Sequence, residues 1–197
     1  MTEPSASQAD PASDPAPAVR LVAGAFAIAD LDAFLADLDE VAAETGAVVQ
    51  AFDADLVVSP AHLREAARLA ARAIARGEAV ARDPGVEILL YVAGRRQIDR
   101  ALELGVSEGE RAAVVLVADF GGVPGVDRPS ADLDEAVESI RELAADEIGE
   151  FDESQSRAFD EARVREFYGV TDRELAATTG DLTDVVRERV ALLDVEK

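Results

Sequence analysis

The chain has 197 residues, and 49% of them are hydrophobic, so it is long enough for one globular domain with its own core. It carries 41 acidic and 19 basic residues, a formal net charge of −22, and every basic residue is arginine except Lys197. The absence of cysteine excludes disulfides, thiol catalysis and cysteine zinc sites.

The N-terminal stretch over residues 1–19 is rich in Pro, Ser, Ala and Asp, and it has almost no large apolar side chains. This composition predicts a disordered acidic tail that precedes a domain over residues 20–197. The domain is predicted to begin with a strand at 21–28. A helix capped by an aspartate follows and ends before Gly46, and a second strand is predicted at 48–52.

The clearest helix starts at Ser59-Pro60, with serine as the N-cap and proline in the first turn, and it is predicted to end at Gly77. Its apolar stripe should face the core, and arginines repeat every four residues on the other side. The arginines of this repeat are Arg64, Arg68, Arg72 and Arg76. His62, the single histidine, lies in the first helical turn and is predicted to be exposed.

The stretch over residues 87–105 predicts two helical segments joined at Gly94. The first is apolar almost all round and should be buried. The second is predicted to restart at once, with one inner face and a basic first turn. The inner face would hold Ile98, Ala101 and Leu102, and the first turn would hold Arg95, Arg96 and Gln97.

A cation at a helix N-terminus loses about 0.3–1 kcal/mol, so this basic first turn favours an anion-binding site. The alternative is that both arginines point into water or pair with nearby carboxylates. Between residues 60 and 100, eight arginines stand against five acidic residues, so this segment is positive in an acidic chain. The alternative interpretation of the basic segment is a solvated helix face that attracts the acidic remainder of the fold.

The second half of the chain is predicted to contain a central strand at 112–118, because its apolar run is continuous and rich in β-branched residues. Asp119-Phe-Gly121 matches the metal-binding triplet of kinases, but the other kinase motifs are missing and we interpret it as a turn. The remaining predicted elements are a helix at 132–145, an edge strand at 147–154, a helix at 156–167, a short helix capped by Thr171 or Asp172, and a last helix at 181–193. This alternation predicts an α/β fold with a single domain and a mixed β-sheet packed with helices.

No catalytic constellation, phosphate-binding glycine loop or metal-ligand spacing stands out, so we expect no enzymatic activity, no cofactor and no metal site. No apolar run approaches the length of a membrane span, and the N-terminus lacks a signal-like block. We therefore expect a soluble cytoplasmic protein. Its acid-rich, lysine-poor composition is typical of a halophilic cytoplasm, where molar salt screens charge repulsion within about 3 Å.

The pattern Glu87-Ile-Leu-x-Tyr-x-Ala-Gly-x-Arg-Gln-Ile-x-x-Ala, which ends in Gly105, resembles the hallmark of the PRPK-binding-protein family. This family is the small regulatory subunit of the KEOPS complex, and an archaeal member is expected here. The resemblance covers roughly residues 21–193, with divergence at 107–111 and 119–156, and it implies an α/β fold with a non-catalytic role.

KEOPS installs threonylcarbamoyl on an adenosine next to the tRNA anticodon. The resemblance implies that this chain binds the kinase/ATPase subunit, meets the transferase subunit indirectly and helps to capture tRNA, including its single-stranded CCA end. The RNA-binding residues expected from the basic segment and the motif are Arg95, Arg96, Gln97, Arg100, Arg64, Arg68 and Arg72.

For the kinase contact we predict the apolar face of the last helix, through Leu182, Val186 and Leu193. Two other functions stay open. One is a protein-only interaction module that binds the kinase without direct RNA contact. The other is a small anion-binding enzyme that uses the arginine site.

Overall fold

The computed structural model describes residues 15–146, 148–153 and 159–195, and within these ranges the chain forms eight α-helices and four β-strands. The helices are α1 (Leu31–Thr45), α2 (Pro60–Ala75), α3 (Pro84–Ala93), α4 (Ile98–Ala101), α5 (Leu133–Leu143), α6 (Glu161–Tyr168), α7 (Asp172–Ala177) and α8 (Leu182–Val195). The strands are β1 (Val19–Ile28), β2 (Val48–Asp53), β3 (Gly109–Ala118) and β4 (Gly149–Glu150). Two 3₁₀ turns lie at Ala54–Leu56 and Leu102–Leu104. In the part of the chain that the structure describes, no helix combines the length and apolarity needed to cross a bilayer.

Three predicted elements fall partly on residues that the structure does not describe, namely the tail, the edge strand at 147–154 and the helix at 156–167. Residues 1–14 of the predicted tail lie outside the described residues, and β1 begins at Val19, two residues before the predicted strand. The predicted helix at 156–167 begins outside the described residues, and α6 starts at Glu161.

The sheet has the strand order β2-β3-β1-β4. All three pairings are antiparallel, so the predicted mixed sheet is wrong, although the α/β class is confirmed. The physical reason is that β1 and β2 run parallel and are joined by α1, as in a βαβ unit, but β3 lies between them. Each of them therefore pairs only with an antiparallel neighbour.

The sheet is covered by helices on both faces. Strand β3 places Val114 and Leu116 in one core and Val115 and Val117 in the other, because successive side chains of a strand point to opposite faces. Helices α1 and α5 pack on one face, and α2, α3, α6 and α8 pack on the other. The continuous apolar run of β3 thus marks a central strand, as predicted.

The helix ends follow the local chemistry of the sequence. Ser59 Oγ accepts the His62 N–H at 3.2 Å and caps α2, and Asp83 Oδ1 accepts the Val86 N–H at 3.1 Å and caps α3. Asp119, the first residue of the kinase-like triplet, accepts the Gly121 N–H at 2.9 Å and the Ala131 N–H at 3.1 Å. These bonds confirm that the triplet is a turn, closed onto the loop before α5.

Candidate functional site

Helix α3 ends in a tight turn at Gly94, which adopts the left-handed conformation with φ 61° and ψ 31°. The Gly94 N–H donates to the Tyr91 carbonyl at 3.0 Å, and the Arg95 N–H donates to the Leu90 carbonyl at 3.2 Å. A Cβ at position 94 would lie 3.2 Å from Cβ of Arg189 on α8, so both the turn and the helix contact favour glycine. The chain that leaves this turn, residues 94–102, is called the 94–102 segment below.

Two arginines at the start of the 94–102 segment bind the ends of other helices. Arg95 Nη2 donates to the Phe167 carbonyl in the last turn of α6, and its guanidinium lies 4.6 Å from the centroid of the Phe167 ring. Arg96 Nη2 donates to the Leu193 carbonyl in the last turn of α8 at 3.0 Å. A cation near a helix C-terminus contributes about 0.3–1 kcal/mol of stability. Both arginines therefore support the fold, each at a different helix.

The prediction that Arg95, Arg96 and Gln97 form the first turn of a helix is wrong, because α4 begins only at Ile98 and has four residues. Arg95 and Arg96 precede it, and Gln97 is its N-cap residue without a side-chain capping bond. The argument for an anion at this helix N-terminus therefore does not apply. The side chains that point away from the fold in this segment belong to later residues.

The arginines of α2 each have a carboxylate partner within the chain. Arg68 makes two hydrogen bonds to Glu65, at 2.7 and 2.9 Å, and Arg64 lies 3.7 Å from Glu153. Arg72 forms an ion pair with Asp194, which also accepts the Tyr91 hydroxyl at 3.2 Å. Arg72 therefore joins α2 to the end of α8, close to the Leu193 carbonyl that Arg96 binds.

Two large apolar side chains of the 94–102 segment are exposed. Ile98 is 44% exposed and Leu102 is 60% exposed, whereas Ala101 is buried, so the predicted shared inner face is wrong. The reason is that α4 is too short to bury a stripe and passes directly into the 3₁₀ turn at Leu102–Leu104. Ile98 and Leu102, four residues apart, are called the 98–102 patch.

A groove of about 340 Å³ lies beside the 98–102 patch, and two arginines, two glutamates and two apolar side chains line it. The lining residues are Leu56, Arg100, Glu103, Arg163, Glu166 and Phe167. Arg100 pairs with Glu103 at 2.5 Å. Arg163 bonds Asp53 at 2.7 Å, which raises its pKa above the ordinary value. The groove is thus of mixed charge, with one aromatic wall.

The predicted kinase contacts on α8 are not at the surface. Leu182, Val186 and Leu193 are buried in the core that α8 shares with α2 and α3. The apolar stripe of α8 is required to cover one face of the sheet, which explains why a partner cannot meet these side chains. In this structure the three side chains are core residues, and their burial does not favour the predicted kinase contact through them.

Two polar side chains for which the sequence predicted no role, His62 and Glu87, are buried. His62, predicted to be exposed, is fully buried because α2 packs against both α3 and α8. Burial lowers its pKa to about 4. Glu87, the first residue of the motif, is 2% exposed and accepts the Val80 and Ala81 N–H groups. An acid in an otherwise apolar helix was the sequence feature that could have revealed Glu87.

Among residues 15–146, 148–153 and 159–195, no group of three or more histidine, aspartate or glutamate side chains is arranged to hold a metal ion. The 94–102 segment presents an exposed surface that begins at Gln97. It combines the exposed 98–102 patch, the amide of Gln97 and the guanidinium of Arg100 at the edge of the mixed-charge groove.

A protein-family model described as kinase binding protein CGI-121 matches residues 33–194 of the chain. The match runs from the first turn of α1 to the last turn of α8, and it includes the whole 94–102 segment. No curated protein matches the sequence significantly.

Proposed function

The chain belongs to the kinase binding protein CGI-121 family, and on that premise we propose that it is a non-catalytic regulatory subunit that binds a protein kinase. We propose that this kinase is the ATPase subunit of KEOPS and that the chain meets the transferase subunit only through it. In this proposal the chain also recruits tRNA by its CCA end, for threonylcarbamoyladenosine modification next to the anticodon.

The observation that carries the kinase contact is the exposure of Ile98 and Leu102 within the 94–102 segment. Adjacent exposed apolar side chains mark a site for a protein partner, because burial against the partner removes their apolar surface from water. Leu35, Val80 and Leu192 are also exposed, but they lie on α1, on the loop after α2 and on α8. Ile98 and Leu102 are four residues apart in one turn, and we propose that they anchor the kinase.

Leu102→Asp is expected to weaken kinase binding at least tenfold, which is about 1.4 kcal/mol, because a carboxylate would enter an apolar contact. The measurement is titration calorimetry of the purified chain with the KEOPS kinase subunit in molar KCl. Leu35→Asp is the matched control, since Leu35 is 41% exposed on α1, across the sheet. Wild-type affinity in Leu102→Asp together with weaker binding in Leu35→Asp would place the kinase on the α1 face instead.

The tRNA contact is proposed for the exposed polar side chains beside the patch. The Gln97 amide can hydrogen-bond the edge of an unpaired base, and arginine planes and aromatic rings such as Phe167 can stack on bases. Burial lowers the pKa of Arg95, and the positive charge of Arg100 at the groove lowers it further. Since salt weakens every phosphate contact, stacking and hydrogen bonds would dominate in a halophilic cytoplasm.

Arg100→Glu is expected to remove a severalfold preference for intact tRNA over tRNA that lacks its CCA end, and Gln97→Ala to reduce it. The measurement is a filter-binding titration of both tRNAs at high salt. Arg141→Glu is the control, because Arg141 is an exposed arginine of α5 with the same i,i+3 glutamate pairing. Arg96→Glu is unsuitable, since it would place a carboxylate against the Leu193 carbonyl and disturb α8.

The protein-only module is the second candidate, and the pairing of Arg100 and Arg163 with carboxylates favours it. If the wild type shows no preference between the two tRNAs while Leu102→Asp loses the kinase, the protein-only function is supported and RNA recruitment is rejected.

A further inference from the structure

The carbonyl of Val92 lies in the last turn of α3, two residues before the left-handed Gly94. The next two amides, of Gly94 and Arg95, turn back to the carbonyls of Tyr91 and Leu90. The last carbonyls of a helix need donors from elsewhere. Two side chains supply them here: His62 Nε2 and the Tyr168 hydroxyl each lie 3.0 Å from the Val92 oxygen.

Both donors are buried and come from different helices. His62 lies in the first turn of α2 and Tyr168 is the last residue of α6, and their rings meet edge-on at 6.1 Å. Within the described residues His62 Nδ1 has no hydrogen-bond partner, so the neutral ring carries its proton on Nε2 and donates it to Val92. One carbonyl thus joins α2, α3 and α6 in the core.

The same end of α6 holds the 94–102 segment on the other side of the Gly94 turn. Phe167 precedes Tyr168, packs on its ring at 4.8 Å, and carries the Arg95 guanidinium both on its ring and at its carbonyl. A shift of the Tyr168 hydroxyl therefore moves the two contacts that orient Arg95. This group of contacts joins the end of α6 to the start of the 94–102 segment.

We propose that His62 and Tyr168 are positioning residues, which hold the Val92 carbonyl and thereby fix the direction of the 94–102 segment. This inference rests on the proposed function in one respect, namely that Ile98 and Leu102 of that segment anchor the kinase. The role assigned to both residues is indirect, because they are buried and do not reach a partner.

The test compares His62→Leu and Tyr168→Phe, which each remove one donor, with His62→Gln, whose amide can still donate to Val92. Ile140→Val is the control, since Ile140 is buried in the core on the other face of the sheet. Hydrogen exchange of the amides of residues 94–102 is measured in the free chain, and kinase affinity is measured at a temperature where every variant is folded. Tyr168→Phe keeps the ring and therefore keeps the test valid if His62→Leu fails to fold.

We expect about tenfold faster exchange in residues 94–102, and a similar loss of kinase affinity, for the two variants that lose a donor. His62→Gln should remain near wild type, and Ile140→Val should leave this segment unchanged. Unchanged exchange in folded Tyr168→Phe, or an equal change in Ile140→Val, would overturn the inference. Exchange could be faster in His62→Leu and Tyr168→Phe while kinase affinity is unchanged in these two variants and in Leu102→Asp. That result would support the positioning role and reject the proposed kinase surface.

Discussion

Glu87→Ala is expected to lower the free energy of unfolding by about 3 kcal/mol, because each hydrogen bond to a charged acceptor contributes about 1.5–3 kcal/mol. The Glu87 side chain is 2% exposed, and its Oε2 accepts the Val80 N–H at 3.0 Å and the Ala81 N–H at 2.8 Å. These amides belong to the loop between α2 and α3. Removal of the carboxylate leaves both without this acceptor and loosens the entry to the buried helix.

Glu87→Gln is the matched variant, because its amide oxygen can still accept an N–H but carries no charge. We expect it to lose about half of what Glu87→Ala loses, since neutral hydrogen bonds are roughly half as strong. Urea unfolding at constant molar KCl measures both. Equal stability of Glu87→Ala and the wild type would show that the carboxylate makes no net contribution to the free energy of unfolding and that the loop keeps its structure without it.

Acidification from pH 7 to pH 4 is expected to cost the wild type about 3 kcal/mol more than it costs His62→Gln. Burial lowers the pKa of His62 in the folded chain to about 4, from the ordinary histidine value of 6.5. Between these values the unfolded chain takes up a proton that the folded chain does not. This part of the stability is therefore complete above about pH 6.5 and is lost as the pH falls towards 4.

The comparison with His62→Gln isolates this histidine, because all carboxylates are common to both proteins. Unfolding free energies are measured by urea titration at several pH values and constant salt. A difference between the two proteins that stays constant with pH would mean that His62 keeps an ordinary pKa and is open to solvent. A difference that grows towards low pH, in favour of His62→Gln, is the expected result.

Elements set by local chemistry could be predicted from the sequence, whereas those set by distant contacts could not. Ser59 and Asp83 cap their helices and Gly94 ends α3, because these geometries need only neighbouring residues. The burial of His62 depends on Val92, 30 residues away, and on the placement of α2 between its neighbours. The antiparallel sheet depends on the insertion of β3, which no local pattern encodes.

The candidate site likewise combines features set by neighbouring residues with features set by distant contacts. The sequence indicated a candidate site within residues 87–105, but it could not show what Arg95 and Arg96 bind. Their acceptors lie 72 and 97 residues further along the chain, at Phe167 and Leu193. The exposure of Leu102 was equally hidden, because a helical period of 3.6 assumes a longer helix than the four residues of α4.

The two cores of the sheet have a consequence for folding during translation. The core on the α1 and α5 face is complete once Ile148 has been added, whereas the other core needs Leu193. At about 5–20 residues per second, the remaining 45 residues take about 2–9 s to synthesise. During that interval the 94–102 segment lacks its supports at Phe167 and Leu193, whereas the first core needs no later residue. The surface that we propose for the kinase is therefore complete only after the last turn of α8 has been added.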